Sequence, residues 1–344
     1  MTVTVALDAF GGDHGPTVVV PAALRVLSEH DTLHVILVGE RATLERAVRS
    51  QRGSQRAADS DRLTIHHASQ TVAMDDLPAQ ALRTKKDSSM RVALNLVKEG
   101  VAEACVSAGN TGALMATARF VLRTLPGIDR PAIISSLPTV CGHTHLLDLG
   151  ANVDSTPGQL FQFAVMGSVL TNAVDNVAHP RVGLLNIGEE ETKGNQRVRE
   201  TARLLARSEL NYVGFVEGDD IYRGTADVIV CDGFVGNVAL KSSEGVAQMI
   251  NHYLKQEFTS GVYAHLVALV ARPVLNRLRR KIDPRRYNGA SFVGLRGIVV
   301  KSHGAADVLA FANAIREAIA EVQKNVPARI SKRLESVLTT KEAV

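Results

Sequence analysis

The stretch from Cys105 to Thr124, CVSAGNTGALMATARFVLRT, joins a short apolar run, a glycine-containing turn and an amphipathic segment. The apolar run at 104–107 is typical of a buried strand, and the apolar residues after the turn recur at helical spacing. Within the turn, two glycines let the backbone approach a ligand closely, while Asn110 and Thr111 can cap the helix. We therefore predict a strand, a turn and a helix whose first N–H groups either bind a phosphate or only end an ordinary capped turn.

Turns of the same kind follow four other apolar runs. They are DAFGGDHGP (8–16), DLGAN (148–152), NIGEE (186–190) and DGFVGN (232–237). Apolar runs alternate with helical segments along most of the chain, which is typical of an α/β fold with a mainly parallel sheet wrapped by helices. Because the carboxyl ends of parallel strands meet at one edge of a sheet, we expect these turns to converge on one crevice.

The composition of the chain limits the class of protein to which it can belong. A length of 344 residues with 45% hydrophobic content predicts a large buried core, in one α/β unit or in two lobes. The longest apolar stretch, Val262 to Leu275, is interrupted by His265 and Arg272 and is shorter than the roughly 20 residues that a membrane span needs. The start of the chain has neither a basic segment nor a cleavage site, and its three cysteines are far apart. We expect a soluble, reduced, cytoplasmic protein.

Charge is unevenly distributed along the chain. The formal net charge is only +4, but the segment 272–286 contains a single acid, Asp283, among seven basic residues. These are Arg272, Arg277, Arg279, Arg280, Lys281, Arg285 and Arg286. Such a cluster attracts anions, and it lacks the interleaved aromatic residues of nucleic-acid sites. We expect an acidic protein or anionic lipid as its partner, and no nucleic acid.

The chain resembles the bacterial phosphate acyltransferases from residue 3 to about residue 338. Six segments carry this resemblance, in the same order as in the family. They are DAFGGDHGP (8–16), CVSAGNTGALMA (105–116), LLDLGANVD (146–154), LLNIGEEETKGN (184–195), DVIVCDGFVGNVALKSSEG (227–245) and YNGASFVGLRGIVVKSHGAAD (287–307). Two parts of them, SAGNTGAL (107–114) and DGFVGN (232–237), are also similar to the more distant phosphotransacetylases. One such motif alone would be weak evidence for the family, but six motifs in the same order are specific to it.

The resemblance implies a single catalytic α/β domain over 1–338 with a fold like that of the isocitrate and isopropylmalate dehydrogenases. An amphipathic helical excursion is expected at about 258–286, and a tail at 339–344. The implied enzyme is a homodimer that needs no metal or other cofactor. Phe10 and Glu189 depart from the commonest form of the family, so their roles stay open.

The family transfers a long acyl chain from acyl carrier protein to inorganic phosphate. The acyl phosphate then reaches a membrane glycerol-3-phosphate acyltransferase, as the first step of phospholipid synthesis. The resemblance therefore implies a cytoplasmic protein that associates peripherally with the membrane, with acyl carrier protein, phosphate and an anionic membrane surface as partners.

Inorganic phosphate is already a charged nucleophile, so the site must hold it in line with the thioester carbonyl and stabilise the oxyanion that forms. We assign this role to hydroxyl, amide and N–H donors of Ser107, Asn110 and Thr111. Gly236 and Asn237 are expected to form a second N–H cradle. The other substrate-binding candidates in the turns are Gly11, Gly12, Asp13, Gly109, Gly112 and Asn152.

Catalytic roles are predicted for Asn110 and three further residues. Lys193 is expected to offset the phosphate charge; the alternative is an ordinary solvated lysine. If Lys193 binds phosphate, the neighbouring acids at 189–191 face away from the phosphate or hold Lys193 in place. His14 is a proton carrier or thioester ligand, or it only ties down its glycine loop. Asp232 is the preferred functional acid, although an aspartate at a strand end more often caps backbone N–H groups.

Asp8 and Asp148 also end predicted strands, and for them capping is the preferred interpretation. The cysteines Cys105, Cys141 and Cys231 offer a thioester nucleophile as an alternative route. We prefer direct transfer without an acyl-enzyme, because a cysteine in a strand is usually a small buried apolar residue.

Three other functions compete with this interpretation. A phosphotransacetylase that uses short acyl-coenzyme A would share the two phosphate turns. A nicotinamide-dependent hydroxyacid dehydrogenase of the same fold is disfavoured by the absence of a G-x-G-x-x-G fingerprint from the sequence. A non-catalytic membrane adaptor would leave the glycine-containing turns unexplained.

The segment from Ser260 to Arg286 predicts an amphipathic helix. Apolar residues recur in it every four positions, at Val262, Leu266, Val270, Val274 and Leu278, and the basic cluster lies towards its far end. Such a helix either lies in the surface of an anionic bilayer or packs its apolar face at a dimer interface while the arginines bind the acidic carrier protein.

Overall fold

An eleven-stranded mixed sheet runs through the computed structural model, which describes residues 2–51 and 61–342. The strands are β1 (Val3–Asp8), β2 (Leu33–Gly39), β3 (Leu63–His67), β4 (Ala104–Ser107), β5 (Ala132–Thr139), β6 (Gly142–Leu147), β7 (Val182–Leu185), β8 (Tyr212–Val216), β9 (Val228–Val230), β10 (Ala290–Val293) and β11 (Ile298–Lys301). Their order across the sheet is β3-β2-β1-β4-β11-β10-β5-β6-β9-β7-β8.

Twelve α-helices flank this sheet in the described part of the chain. They are α1 (Pro16–Glu29), α2 (Arg41–Arg49), α3 (Pro78–Thr84), α4 (Ser89–Lys98), α5 (Thr111–Leu122), α6 (Pro157–Val174), α7 (Gln196–Ala206), α8 (Asp220–Arg223), α9 (Gly233–Phe258), α10 (Val262–Ile282), α11 (Val308–Lys324) and α12 (Val326–Glu342). The predicted α/β class, a mainly parallel sheet wrapped by helices, is confirmed.

The sheet consists of two parallel blocks that run in opposite directions. Strands β3, β2, β1, β4 and β11 form one block, and β6, β9, β7 and β8 form the other. Between them, β10 pairs antiparallel with β11 and β5, and β5 pairs antiparallel with β6. The carboxyl ends of the two blocks therefore lie at opposite edges of the sheet. The expectation that all the turns meet at one edge is wrong, because the sequence pattern does not reveal this reversal.

Helices cover both faces of the first block, which explains its continuous apolar strands. On one face, Leu24 of α1 and Phe311 of α11 belong to a cluster of buried side chains. On the other face, Leu114 of α5 packs in a cluster that extends under the second block. A third cluster, around Phe163 of α6, lies between the second block and α12.

The strand predicted at 104–107 forms as β4, with the same bounds. Two strands were not predicted. The strand β8 is half exposed at the edge of the sheet and contains Gly214, while β10 has only four residues and lies between Gly289 and Gly294. Part of the expected tail is helical, because α12 continues to Glu342; residues 343–344 lie outside the described part.

Helix α10, Val262–Ile282, lies within the segment expected to form the helical excursion, and a second long helix precedes it. Helix α9 runs over 26 residues, and only Gly233 and Gly236 in it are buried. Helix α10 follows after a short break, at an angle of 118°. Within the described residues, no single helix is long and apolar enough to cross a membrane.

Exposed apolar side chains line both helices of this hairpin. On α9 they are Val246, Met249, Ile250, Tyr253 and Leu254, and on α10 they are Val262, Tyr263, Leu266, Val267, Leu269, Val270 and Val274. The helical period of both sets confirms that each helix is amphipathic. Their apolar faces do not pack against the body of the chain, which leaves them open to a partner or a lipid surface.

Replacing Phe163 tests the core. Phe163 is fully buried, so Phe163→Ala should lower the free energy of unfolding by about 3–5 kcal/mol. Phe120 is 63% exposed and serves as a matched control, for which Phe120→Ala should cost about 1 kcal/mol or less. Denaturant unfolding followed by circular dichroism measures both, and equal losses would contradict the described packing.

Candidate active site

Three loops at the carboxyl ends of β1, β4 and β11 pack together. We call residues 8–13, 107–112 and 301–304 the first turn group. Its centre is the buried carboxylate of Asp8, which accepts hydrogen bonds from Ser107 Oγ at 2.6 Å and Ser89 Oγ at 2.6 Å. Burial raises the pKa of Asp8, and these hydroxyl donors oppose that effect. Ser107 Oγ also accepts a bond from Gly109 N at 3.0 Å, so its hydroxyl holds the turn in shape.

A buried cation lies in the same group. Lys301 is 8% exposed, and its Nζ donates to the carbonyl oxygens of Ala108, at 3.2 Å, and Ser302. Burial lowers the pKa of Lys301 to about 8, while the charges of Asp8 and Asp13 oppose that shift. A lysine ammonium without a hydrogen-bonded carboxylate, next to the start of α5, favours binding of an anion.

The glycine loop of β1 approaches the other two loops very closely. Gly12 has a φ of 82°, and a Cβ there would lie 2.8 Å from the carbonyl oxygen of Gly304. Asp13 N donates to that same oxygen at 2.9 Å. The side chains of Asp13 and His14 are exposed, and Phe10 packs over Gly39. Phe10 therefore has a packing role, whereas the predicted role of His14 stays a prediction.

Asn110 caps α5, as predicted, by accepting a hydrogen bond from Ala113 N at 3.0 Å. Its Nδ2 donates to the carbonyl oxygens of Met74 and Asp76, so the cap also ties the segment before α3 to the turn. Thr111 and Gly112, the first residues of α5, are exposed. The turn that presents the first N–H groups of α5 is therefore held in place by the hydrogen bonds of the Asn110 side chain.

A second turn group lies at the opposite edge of the sheet and comprises residues 148–152, 186–195 and 232–237. Asp148 is fully buried, and its carboxylate accepts bonds from the backbone nitrogens of Ile133, Ala151 and Asn152. Its predicted capping role is confirmed. Asn152 is also buried; its Nδ2 donates to Asp148 Oδ2 and to Pro131 O, and its carbonyl oxygen accepts from Gly233 N.

The start of α9 lies directly against the Asp148 turn. A Cβ at Gly236 would overlap the carbonyl oxygen of Asp148, so only glycine fits there. Asp232 caps α9 by accepting from Val235 N at 3.0 Å, and it also forms an ion pair with Arg197 at 3.2 Å. Arg197 reaches Asp154 at 2.5 Å as well, while its buried Nε has no hydrogen-bond partner.

A mainly apolar cleft of about 290 Å³ opens in the second turn group. Its walls are Leu160, Leu184, Leu185, Ile187, Val198, Cys231 and Val235, and its polar rim consists of Asn186, Gly194, Asn195 and Asp232. Burial raises the pKa of the Cys231 thiol well above its usual range. This thiol therefore makes a poor nucleophile at neutral pH, and it belongs to the apolar wall.

The other two cysteines differ from each other in their surroundings. Cys105 is buried, and burial raises the pKa of its thiol as well. Cys141 is exposed in the turn between β5 and β6. Cys105 and Cys231 are thus the small buried residues that are usual for a cysteine in or next to a strand.

Lys193 and Asn237 are exposed residues of the second turn group. Lys193 N donates to the carbonyl oxygen of Glu190, and the acidic side chains at 189–191 are exposed, so the loop keeps them at its surface. Asn237 lies beside Gly150. The roles predicted for Lys193 and Asn237 stay predictions.

One helix connects the two groups. Helix α9 begins at the second group, and the charge of its Lys241 lies close enough to Lys301 of the first group to lower the pKa of Lys301. Neither group contains, within the described residues, three metal-ligating side chains close enough to share an ion.

Three polar residues of these groups were not predicted: Ser89, Arg197 and Lys301. The sequence around Lys301 did carry a signal. Lys301 ends an apolar run and is followed by Ser-His-Gly, and the other turns also consist of polar residues and glycine after an apolar run. Ser89 and Arg197 lie on helices, where a single polar residue carries no such signal. Their roles come from tertiary contacts.

Comparisons with known proteins extend this description. A family model described as "Fatty acid synthesis protein" matches residues 3–329. The phosphate acyltransferase of Alkalilimnicola ehrlichii is 62% identical over 342 residues, which cover 99% of both chains.

Among solved structures, a phosphotransacetylase from Streptococcus pyogenes superposes with a TM-score of 0.62 at 17% identity and covers 94% of each chain. A 4-hydroxythreonine-4-phosphate dehydrogenase from Klebsiella pneumoniae superposes with a TM-score of 0.56 at 14% identity, covering 94% of this chain and all of that one. These two likenesses show a shared fold. The match over nearly the full length shows that the chain belongs to the fatty acid synthesis protein family, among relatives that are acyltransferases.

Proposed function

We propose that this protein transfers a long-chain acyl group from acyl-acyl carrier protein to inorganic phosphate, giving acyl phosphate for phospholipid synthesis. The observation that carries the proposal is the buried ammonium group of Lys301 beside the first turn of α5. A fixed positive charge and free helix N–H groups together suit a small dianion. The full-length similarity to phosphate acyltransferases supports the same reaction.

Because inorganic phosphate is already a nucleophile, the protein has to position it against the thioester carbonyl rather than activate it. In this proposal the first turn group holds phosphate through Lys301 and the N–H groups at the start of α5, and Asn110 keeps that turn in place. His14, which follows the glycine loop of this group, is exposed, so it is free to contact the thioester end of the donor. The N–H groups at the start of α5 would also stabilise the oxyanion.

The second turn group suits the acyl donor. Its cleft has apolar walls for an alkyl chain and a polar rim that includes Asp232. Asp232 forms an ion pair with Arg197, and its carboxylate at the rim would orient the donor. The Cys231 thiol in this cleft is buried and its pKa is raised, which supports direct transfer to phosphate over an acyl-enzyme on Cys231.

Product trapping tests the reaction. Incubation of the chain with long-chain acyl-acyl carrier protein and phosphate should release free carrier and give an acyl phosphate that hydroxylamine traps as a hydroxamate. Both should depend on phosphate. A preference for acetyl-coenzyme A would favour a phosphotransacetylase instead, and absence of phosphate-dependent product with either donor would refute acyl transfer to phosphate.

The pH dependence of phosphate use tests Lys301. Its charged form predominates below its pKa of about 8, so kcat/KM for phosphate should fall as the pH rises through that value. Lys301→Met should reduce kcat/KM for phosphate about 10- to 100-fold, mainly through KM, and should abolish this alkaline limb. Lys98→Met, at an exposed lysine, is the control. An unchanged phosphate KM in Lys301→Met would place the phosphate elsewhere.

We further propose that the hairpin of α9 and α10 attaches a homodimer peripherally to anionic membrane, near the membrane glycerol-3-phosphate acyltransferase that would consume the product. The exposed apolar face of α10 and the exposed Arg272 and Arg277 on the same helix support this localisation. Insertion of that face would leave the arginines near lipid headgroups. Acyl carrier protein, which is acidic, is the competing partner for the same arginines.

Liposome flotation separates these partners. The double variant Leu266→Glu with Val270→Glu should lose flotation with anionic vesicles, because both side chains are exposed on the apolar face. Val101→Glu, at an exposed valine of the body, should float like the parent. Light scattering must show the same oligomeric state in all three proteins. Retained flotation of the double variant, or loss of flotation that accompanies dissociation, would refute the membrane role of this face.

A further inference from the structure

A cluster of two histidines and one carboxylate lies outside both turn groups. His143 and His145 are two residues apart on β6, so their side chains lie on the same face of the sheet. Asp175, which follows α6, places its Oδ2 3.0 Å from His143 Nε2 and 2.7 Å from His145 Nε2. The two rings are perpendicular, with centroids 5.2 Å apart. Both imidazoles therefore converge on one oxygen atom.

The cluster is supported by its surroundings. The Nδ1 atom of His145 lies 3.2 Å from Ser136 Oγ on the neighbouring strand, which fixes the ring orientation and leaves Nε2 directed at Asp175. The backbone of β6 is held on its other side, where His145 N donates to Asp227 O and Thr144 Oγ1 donates to Ala226 O. A hydrogen bond to the second ring nitrogen is typical of metal-ligating histidines.

The spacing of the three ligand atoms fits a small tetrahedral ion. All three lie within 4.8 Å of one another. Bonds of about 2.0–2.1 Å to zinc would place tetrahedral ligands about 3.3 Å apart, so the two nitrogen–oxygen distances of 3.0 and 2.7 Å would lengthen by about 0.3 and 0.6 Å when an ion binds. The side chain of His143 is 36% exposed, which gives an ion a route from solvent and leaves one position for water.

Negative charge surrounds the cluster. Glu317 of α11 lies close enough to interact electrostatically with His143, His145 and Asp175. Asp227 also acts on His143, although Arg181 neutralises it through an ion pair of 2.8 Å. A divalent cation would offset the charges of Asp175 and Glu317 together. Imidazole with carboxylate, without thiolate, is the ligand set that suits zinc, cobalt or nickel better than magnesium or calcium.

We propose that His143, His145 and Asp175 bind a divalent transition metal of the zinc class. The site lies at the amino end of β6, whereas Asp148 of the second turn group follows its carboxyl end. A bound ion would join β6 to the end of α6. It would therefore stabilise the second block of the sheet without entering the proposed reaction.

Metal titration of the EDTA-treated full chain tests the proposal. Cobalt(II) should bind once per chain and give the intense visible absorption of a tetrahedral site, and zinc should displace it. Zinc should also raise the midpoint of thermal unfolding in a concentration-dependent manner. These readouts do not require turnover, so they are independent of the proposed acyl transfer.

Two variants and one control make the test specific. His143→Gln and Asp175→Asn should each weaken metal binding at least about tenfold and remove the zinc-dependent rise in unfolding temperature. His66→Gln, at an exposed histidine of β3, should behave like the parent. His143→Gln affects a partly exposed side chain, and circular dichroism verifies its fold.

Three results would overturn the proposal. One is the absence of metal binding by the parent, which would leave the cluster as an ion pair between Asp175 and its two histidines. Another is equal metal affinity in the parent and in correctly folded His143→Gln, which would mean adventitious binding elsewhere. The third is loss of the zinc effect in His66→Gln as well.

Discussion

The arrangement of the loops depends on buried carboxylates that end strands. Asp8 binds two serine hydroxyls from β4 and α4, and Asp148 binds three backbone N–H groups, one at the start of β5 and two in the turn after β6. A charged or strongly polar group that is removed from water costs several kcal/mol unless donors surround it. Each aspartate therefore fixes the loops that supply its donors. The two turn groups owe their shapes to this requirement, and the glycines nearby fit into the remaining space.

The strand-and-helix pattern could be predicted from the sequence because it depends on local periodicity. The apolar runs VTVAL and ACVS and the caps Asn110 and Asp232 all carry their information within a few residues. The relative direction of the two parallel blocks could not be predicted. It is set by β10, a four-residue strand between glycines, which pairs antiparallel with β11 and with β5, and the pairing with β5 joins residues more than 150 positions apart.

The same distinction applies to the candidate site. Turn residues such as Gly12 and Gly236 were predicted because close backbone approach demands glycine, and the structure places another backbone against each. Lys301 and Arg197 acquire their importance from burial and from partners that are distant in sequence. For Arg197 neither property is visible in the residues next to it, whereas Lys301 at least ends an apolar run. The exposure of Lys193 could not be predicted either, because a lysine in a polar loop has the same pattern whether it faces a site or solvent.

The length of α9 has a mechanical consequence. Its 26 residues, at about 1.5 Å each, make a rod of about 39 Å with one end at the Asp232 cap and the other in the exposed hairpin. Only Gly233 and Gly236 of this rod are buried, so it is held near one end, and Gly236 touches the carbonyl of Asp148 there. A rod held in this way acts as a lever. A force on its free end is therefore transmitted to the first turns of α9, where Asp232 and Val235 line the apolar cleft.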